Sequence, residues 1–183
     1  MTRWLGALLL LAAAPAAAVP WTVQPAQSRI GFTATWLGKA VPGTFRSWSA
    51  AIDFDPAKPA VARIAVTIDL ASAATGDKTV DGSLPGDDWF DTKVVRTAKF
   101  VATKVAAAGP GRYVATGTLT IRGRAVPVTL PFTLTQVGDI ATVTGQARVD
   151  RRAWKIGVES DAAEEYVAFA VPIAIRVVAK RAR

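Results

Sequence analysis

The residues best suited to chemistry fall in two places. The first is an acidic stretch carrying Asp77, Asp81, Asp87, Asp88 and Asp91. Carboxylates this dense suit calcium, but their spacing is not the alternating Asp pattern of a calcium loop, so no metal site is expected. Inside the same stretch, Gly82-Ser83-Leu84 offers a serine hydroxyl, with Lys78 as a base for a Ser–Lys dyad. The chain contains no histidine and no cysteine. Ser-His-Asp triads, His-ligated metals, thiol nucleophiles and disulfides are excluded with them. Paired carboxylates for glycoside hydrolysis have no recognisable motif here. The expectation is a protein without catalytic residues, cofactor or metal. The second place is the cationic group Arg151, Arg152 and Lys155 at a strand end. It suits an anionic group; a solvated turn is the plainer reading, and an Arg151–Asp81 ion pair is a third.

What the chain holds in quantity is apolar surface. Of its 183 residues, 51% are hydrophobic and 20% charged. That is too apolar for disorder, ample for a core, and of a length that favours one domain. The apolar residues alternate with period two. Ile30, Phe32, Ala34 and Trp36 oppose Arg29, Thr33 and Thr35, and Val126, Val128, Leu130, Phe132 and Leu134 oppose Thr129, Thr133 and Thr135. This is strand alternation with one face buried. It predicts about eight strands, near 28–36, 43–55, 61–72, 96–107, 112–122, 125–136, 140–151 and 164–178. Phe45 has the opposite parity to Trp48, Ala50, Ile52 and Phe54, which predicts a bulge or bend at Arg46-Ser47. Short Gly- and Pro-marked connections imply antiparallel neighbours. Two longer segments, 72–95 and 152–164, read as loops of the kind that carry function, the first with a helical turn near 78–84.

Eight antiparallel strands fit an up-and-down barrel, which encloses just enough interior for one ligand. The inward positions mix bulky rings with Ala34, Ala50, Ala115, Gly117 and Ala147. Composition alone sets a packed interior slightly ahead of an open lumen. The outward positions carry Arg, Thr and Asp, which excludes an outer-membrane barrel.

Residues 1–18, MTRWLGALLLLAAAPAAA, read as a cleavable secretory signal peptide, leaving a barrel domain over 19–183. The net charge is +8. The basic residues are scattered along the strands rather than clustered with aromatics, so nucleic acid is not expected as a partner. Lys180-Arg181-Arg183 reads as a frayed, solvated end. A mild, transient attraction to anionic membrane surfaces is expected. Monomer and dimer are both left open.

The ordered motifs resemble the YceI-like, polyisoprenoid-binding periplasmic proteins. The match begins with Trp21-Thr-Val, Ser28-x-Ile30-x-Phe32, Leu37-Gly38 and Val41-x-Gly43-x-Phe45. It continues through Ile52-x-Phe54-Asp55-Pro56, Ile68-Asp69-Leu70-Ala71-Ser72, Thr75-Gly76-Asp77, Asp81, Leu84 and Trp89-Phe90-Asp91. It ends with Phe100, Gly117-x-Leu119-Thr120-Ile121-x-Gly123, Val126-Pro127-Val128 and Arg151-x-x-Trp154-x-Ile156. The chain departs from the family pattern at Gln27, Trp36 and Val80, and at Lys155, where the family usually has glycine. The resemblance implies an all-β, lipocalin-like barrel with an elongated apolar cavity. The implied ligand is a polyisoprenoid lipid, either a polyprenyl phosphate or an isoprenoid quinone, carried or sequestered in the periplasm. The inward aromatics Phe32, Trp36, Phe45, Phe54, Trp89, Phe90, Phe100, Phe132 and Trp154 are the expected ligand contacts, with Trp89-Phe90 a lid over one mouth. Arg151, Arg152 and Lys155 are the head-group candidates. The alternative is a ligand-free exported barrel acting as a protein-interaction or stress-protective module.

Overall fold

The alternation is realised as eleven β-strands in one antiparallel sheet that closes on itself. The computed structural model describes residues 20–182. The signal peptide expected at 1–18 and the tail residue Arg183 lie outside the described residues. In chain order the elements are β1 (Pro20–Val23), β2 (Arg29–Trp36), β3 (Lys39–Phe45), β4 (Trp48–Asp53), β5 (Arg63–Asp69) and β6 (Ala73–Ala74). Helix α1 (Lys78–Ser83) follows, then β7 (Thr97–Ala107), β8 (Arg112–Ile121), β9 (Arg124–Val137), β10 (Ile140–Asp150) and β11 (Ala170–Arg181).

The eleven strands make eight staves. β1 and β2 are one stave broken by a 3-10 turn at Pro25–Gln27, and β5 and β6 are one stave broken by a 3-10 turn at Leu70–Ser72. β3 and β4 are one stave broken at Arg46-Ser47, where the parity of Phe45 and Trp48 changes. The break lets both rings point inward. β11 closes the barrel. It pairs with β10 along one edge and with β2 and then β1 along the other. Closure removes the long exposed edges that an open sheet would present for aggregation.

Two expectations at the C-terminal end are corrected. The last strand begins at Ala170, not near residue 164, because 155–169 is an irregular loop. Lys180 and Arg181 are not frayed: they pair with Thr22 and Trp21 of β1, and the Arg181 guanidinium lies over the Trp21 ring at 5.4 Å. Sequence proximity could not show this, because the partner strand is at the other end of the chain.

Packing is concentrated at the two ends of the barrel. At one end Trp21, Phe54, Tyr113 and Phe132 form a plug. Tyr113 stacks on Phe132 at 5.4 Å, Phe54 meets Tyr113 edge-on at 5.2 Å, and the Trp21 indole N–H donates to the Phe54 carbonyl at 2.8 Å. At the other end Phe32, Leu70, Leu84, Phe90, Trp154 and Ile156 pack together. Gly43 makes this second cluster fit, because a Cβ there would fall inside the Phe32 ring. These clusters leave the middle of the barrel to the question of space.

Candidate functional site

Between the two clusters lies a cavity of about 270 Å³. That is close to the lower end of the ~300–1,000 Å³ usual for ligand pockets. The slight preference for a packed interior is therefore corrected. Ala50, Ala115 and Ala147 stand on the inner face and leave room that larger residues would fill. Every lining residue is apolar or aromatic except Arg151. A space of this kind is dry and takes hydrocarbon rather than water.

Of the aromatics expected to meet a ligand, Phe32, Phe45, Phe54, Trp89, Phe90, Phe100, Phe132 and Trp154 all line this cavity. Trp36 does not. It keeps the parity of Ile30, Phe32 and Ala34, but β2 has passed the rim by that point. There Trp36 is 42% exposed, bridged to Val167 beside the turn at Leu37-Gly38. Alternation reports the face of a strand, not where the barrel stops. Leu37 and Tyr166 are exposed at the same place, the Leu37 N–H donating to the Tyr166 carbonyl at 2.7 Å.

The lid is built from the two long loops. Asp77 caps α1 by accepting from the Thr79 and Val80 N–H groups, which starts a single helical turn. The chain then drops Leu84, Trp89 and Phe90 onto the cavity. Phe90 is buried and its ring lies 6.0 Å from Phe45. Opposite, the turn at Arg151–Trp154 buries Trp154, whose indole N–H donates to the Leu119 carbonyl at 3.1 Å. Two side chains fasten the loops to each other. The Asp88 carboxylate accepts from the Glu159 and Ser160 N–H groups and from the Ser160 hydroxyl. Arg122, in the β8–β9 turn, donates to the carbonyls of Asp87, Asp88, Trp89 and Lys155. Sequence reasoning passed over Arg122 as one scattered basic residue. Its position in a two-residue turn, facing the two long loops, was the available signal.

The basic group at the end of β10 does not act as a cluster. Arg151 is buried, 3% exposed, and its guanidinium donates to the carbonyls of Ile156, Gly157, Asp161 and Val167 and to the Asp161 carboxylate at 2.8 Å. The expected alternative partner, Asp81, instead accepts from Thr75 and the Gly76 N–H. Arg152 is outside, paired with Asp150 and stacked over Phe169 at 3.9 Å. Lys155 is exposed and caps the turn in the left-handed region, with φ 56°. That geometry explains a glycine preference at this position, since a Cβ there costs about 1 kcal/mol. Lys155→Gly is accordingly expected to stabilise the protein by roughly 0.5–1 kcal/mol in urea titrations. A loss of stability would contradict this reading of the turn.

The carboxylates that hold these loops are tuned by their partners. Burial pushes the Asp88 carboxyl up, but the Ser160 hydroxyl and the Glu159 and Ser160 N–H groups outweigh it and hold it below its ordinary 3.8. Burial acts in the same sense on Asp161. There the N–H groups of Val167, Glu165 and Tyr166, and then the Arg151 charge, prevail and keep it low. A carboxylate lowered in the folded state binds fewer protons folded than unfolded. Its contribution is present above pH 3.8 and is lost as the pH falls through the lowered value. Asp88→Asn is expected to flatten this acid limb of melting temperature against pH. An unchanged acid limb would show that Asp88 does not hold the loops.

The YceI-like domain model matches residues 21–179. A UPF0312 protein of Photorhabdus laumondii is 39% identical over 127 residues, covering 68% of this chain and 66% of that protein. The matches span 51% to 67% of the length of curated relatives of this kind. Among solved structures, BcnA of Burkholderia cenocepacia superposes with a TM-score of 0.82 at 36% identity, covering 85% of this chain and 98% of that one. A polyisoprenoid binding domain from Saccharophagus degradans, implicated in plant cell wall breakdown, shares the fold. Its TM-score is 0.70 at 15% identity, covering 90% of this chain and 99% of that one.

Proposed function

The chain belongs to the YceI-like domain family, and from that premise we propose that it is a non-catalytic carrier of a polyisoprenoid lipid in the periplasm. One observation carries the reading: a lined, apolar space runs between two packed ends, with Arg151 the single charged residue on its wall among the described residues. The same fold serves in the Saccharophagus domain for polyisoprenoid binding. A prenyl tail is nearly insoluble, and each buried methylene gains roughly 0.8 kcal/mol. With observed efficiencies nearer ~0.3 kcal/mol per atom, partial burial of a long tail still supports micromolar binding. Moderate affinity suits a carrier, which must also release its cargo.

The ligand contacts are Phe32, Phe45, Phe54, Trp89, Phe90, Phe100, Phe132 and Trp154, with Trp36 set aside. Arg151 and Arg152 have their charges matched by Asp161 and Asp150, so they hold loops rather than a head group. The segment 1–18 supplies export to the periplasm. Exposed Trp36, Leu37 and Tyr166 at the lid end supply the transient membrane contact through which a lipid is exchanged. Native mass spectrometry of the gently purified chain tests the reading. The expected result is a one-to-one adduct that organic extraction releases as a prenyl lipid. Bare polypeptide that also fails to take up added farnesol or ubiquinone would overturn it.

A further inference from the structure

The barrel wall has a seam that is not hydrogen-bonded along its length. β2 pairs with β3 from Ile30↔Phe45 to Trp36↔Lys39, whereas β1 pairs with β4 at Pro20↔Asp53 and Trp21↔Ile52. Between these ladders, 22–29 on one stave faces 46–51 on the other with no registered pairing. The backbone there turns elsewhere. The Gln24 N–H donates to the Val178 carbonyl at 2.8 Å, and the Ser28 hydroxyl exchanges hydrogen bonds with the same residue. A second, outer niche of about 440 Å³ lies against this seam, lined among others by Ser28, Arg29, Arg46 and Ser47. Phe45 and Trp48 line both the niche and the inner cavity. Two half-buried rings are thus the common wall of a mixed polar and apolar niche outside and an apolar space inside.

The outer face of the seam is basic by register. Arg29 stands directly opposite Arg176 of β11. Arg46, which follows Phe45 past the end of the β2–β3 ladder, lines the same niche as Arg29. Like charges directly opposite each other, as at Arg29 and Arg176, destabilise a sheet, and Arg46 adds a third beside them. All three are exposed. None belongs to an ion pair among the described residues, which join Arg96 to Asp69, Arg151 to Asp161 and Arg152 to Asp150. The carboxylate that senses Arg46 is Asp81, and its oxygens are already held by Thr75 and Gly76. A row of guanidiniums outside any ion pair matches a phosphate group, which takes several charge-assisted hydrogen bonds at once.

We infer that this seam is a side entrance to the cavity, where Arg29, Arg46 and Arg176 hold the phosphate head of a prenyl lipid whose tail passes between Phe45 and Trp48. The inference rests on the carrier reading and narrows it, selecting a phosphate-bearing ligand over a neutral quinone. The break at Arg46-Ser47 then serves two purposes: it turns both rings inward and leaves the wall unladdered where the tail crosses.

The test uses the delipidated chain and three probes, farnesyl phosphate, farnesol and inorganic phosphate, read by tryptophan fluorescence at low ionic strength. Farnesyl phosphate is expected to bind about tenfold or more tighter than farnesol. The triple variant Arg29→Gln, Arg46→Gln, Arg176→Gln removes that advantage and leaves farnesol within about twofold. A control that removes charge elsewhere on the outer wall, Arg63→Gln with Arg148→Gln, leaves both within about twofold. Unchanged farnesyl phosphate binding in the triple variant overturns the inference, as does an equal loss in the control, which would make net charge the cause. Inorganic phosphate binding as tightly as farnesyl phosphate, through the same arginines, overturns it in favour of a free-anion site. If farnesyl phosphate and farnesol bind equally well to the parent, the entrance fails and the carrier stands. If neither binds, the carrier reading fails and takes the entrance with it.

Discussion

Replacing Ala50 and Ala147 together by phenylalanine is expected to abolish lipid binding while leaving the barrel folded. Both alanines line the cavity and both are only half-buried, because their methyl groups look into space rather than into neighbouring atoms. Two added rings occupy volume that a prenyl tail requires. Filling a true space stabilises a protein, whereas forcing a ring into a packed core costs about 1–3 kcal/mol. The two outcomes separate cleanly. The expected result is an affinity for farnesol reduced by about a hundredfold or more, with a melting temperature equal to or above the parent's. Retained binding would mean the tail lies elsewhere. A large fall in melting temperature would mean the interior is already full.

Arg151→Met is expected to have the largest effect on stability. Methionine approximates the volume and apolar stem of arginine but donates nothing. It leaves the buried Asp161 carboxylate without its cation, and the carbonyls of Ile156, Gly157 and Val167 without the donors that hold them. Removing one member of a buried ion pair costs about 3–5 kcal/mol. For a domain of this size that lowers the melting temperature by roughly 10 °C. The loss begins in 155–169, which has almost no ladder of its own and hangs on this one side chain. Amide exchange should therefore accelerate there and in the lid around Trp89 before it does in β7 to β10. Melting and exchange equal to the parent's would contradict the role given to Arg151.

The staves were legible in the sequence because one buried face imposes a period of two. The inward residues of β5, β8, β9 and β10 follow that period, and even the change of parity between Phe45 and Trp48 marked the real break. Other features lay beyond such reasoning. Alternation gives a face but not a rim, which is why Trp36 kept the right phase and yet stands outside. A cross-loop partner leaves no pattern: Asp161 lies ten residues from Arg151 in an irregular segment, no more conspicuous than Asp81. The open interior depends on the summed volumes of eight staves, and neither parity nor composition reports a sum of that kind. The basic row was hidden for a related reason. Arg29 and Arg176 are far apart in the chain and become neighbours only through register, and Arg46 joins them only where the stave breaks.

The central claim, that a hydrocarbon tail lies inside the barrel, is tested most directly by intermolecular nuclear Overhauser contacts between isotopically labelled farnesol and the methyl groups of the protein. The cavity predicts contacts to Ile68, Val143 and Ile175, which line its wall on three different strands. Contacts confined to exposed Val94 and Val137, or no contacts at all from saturating farnesol, would contradict it.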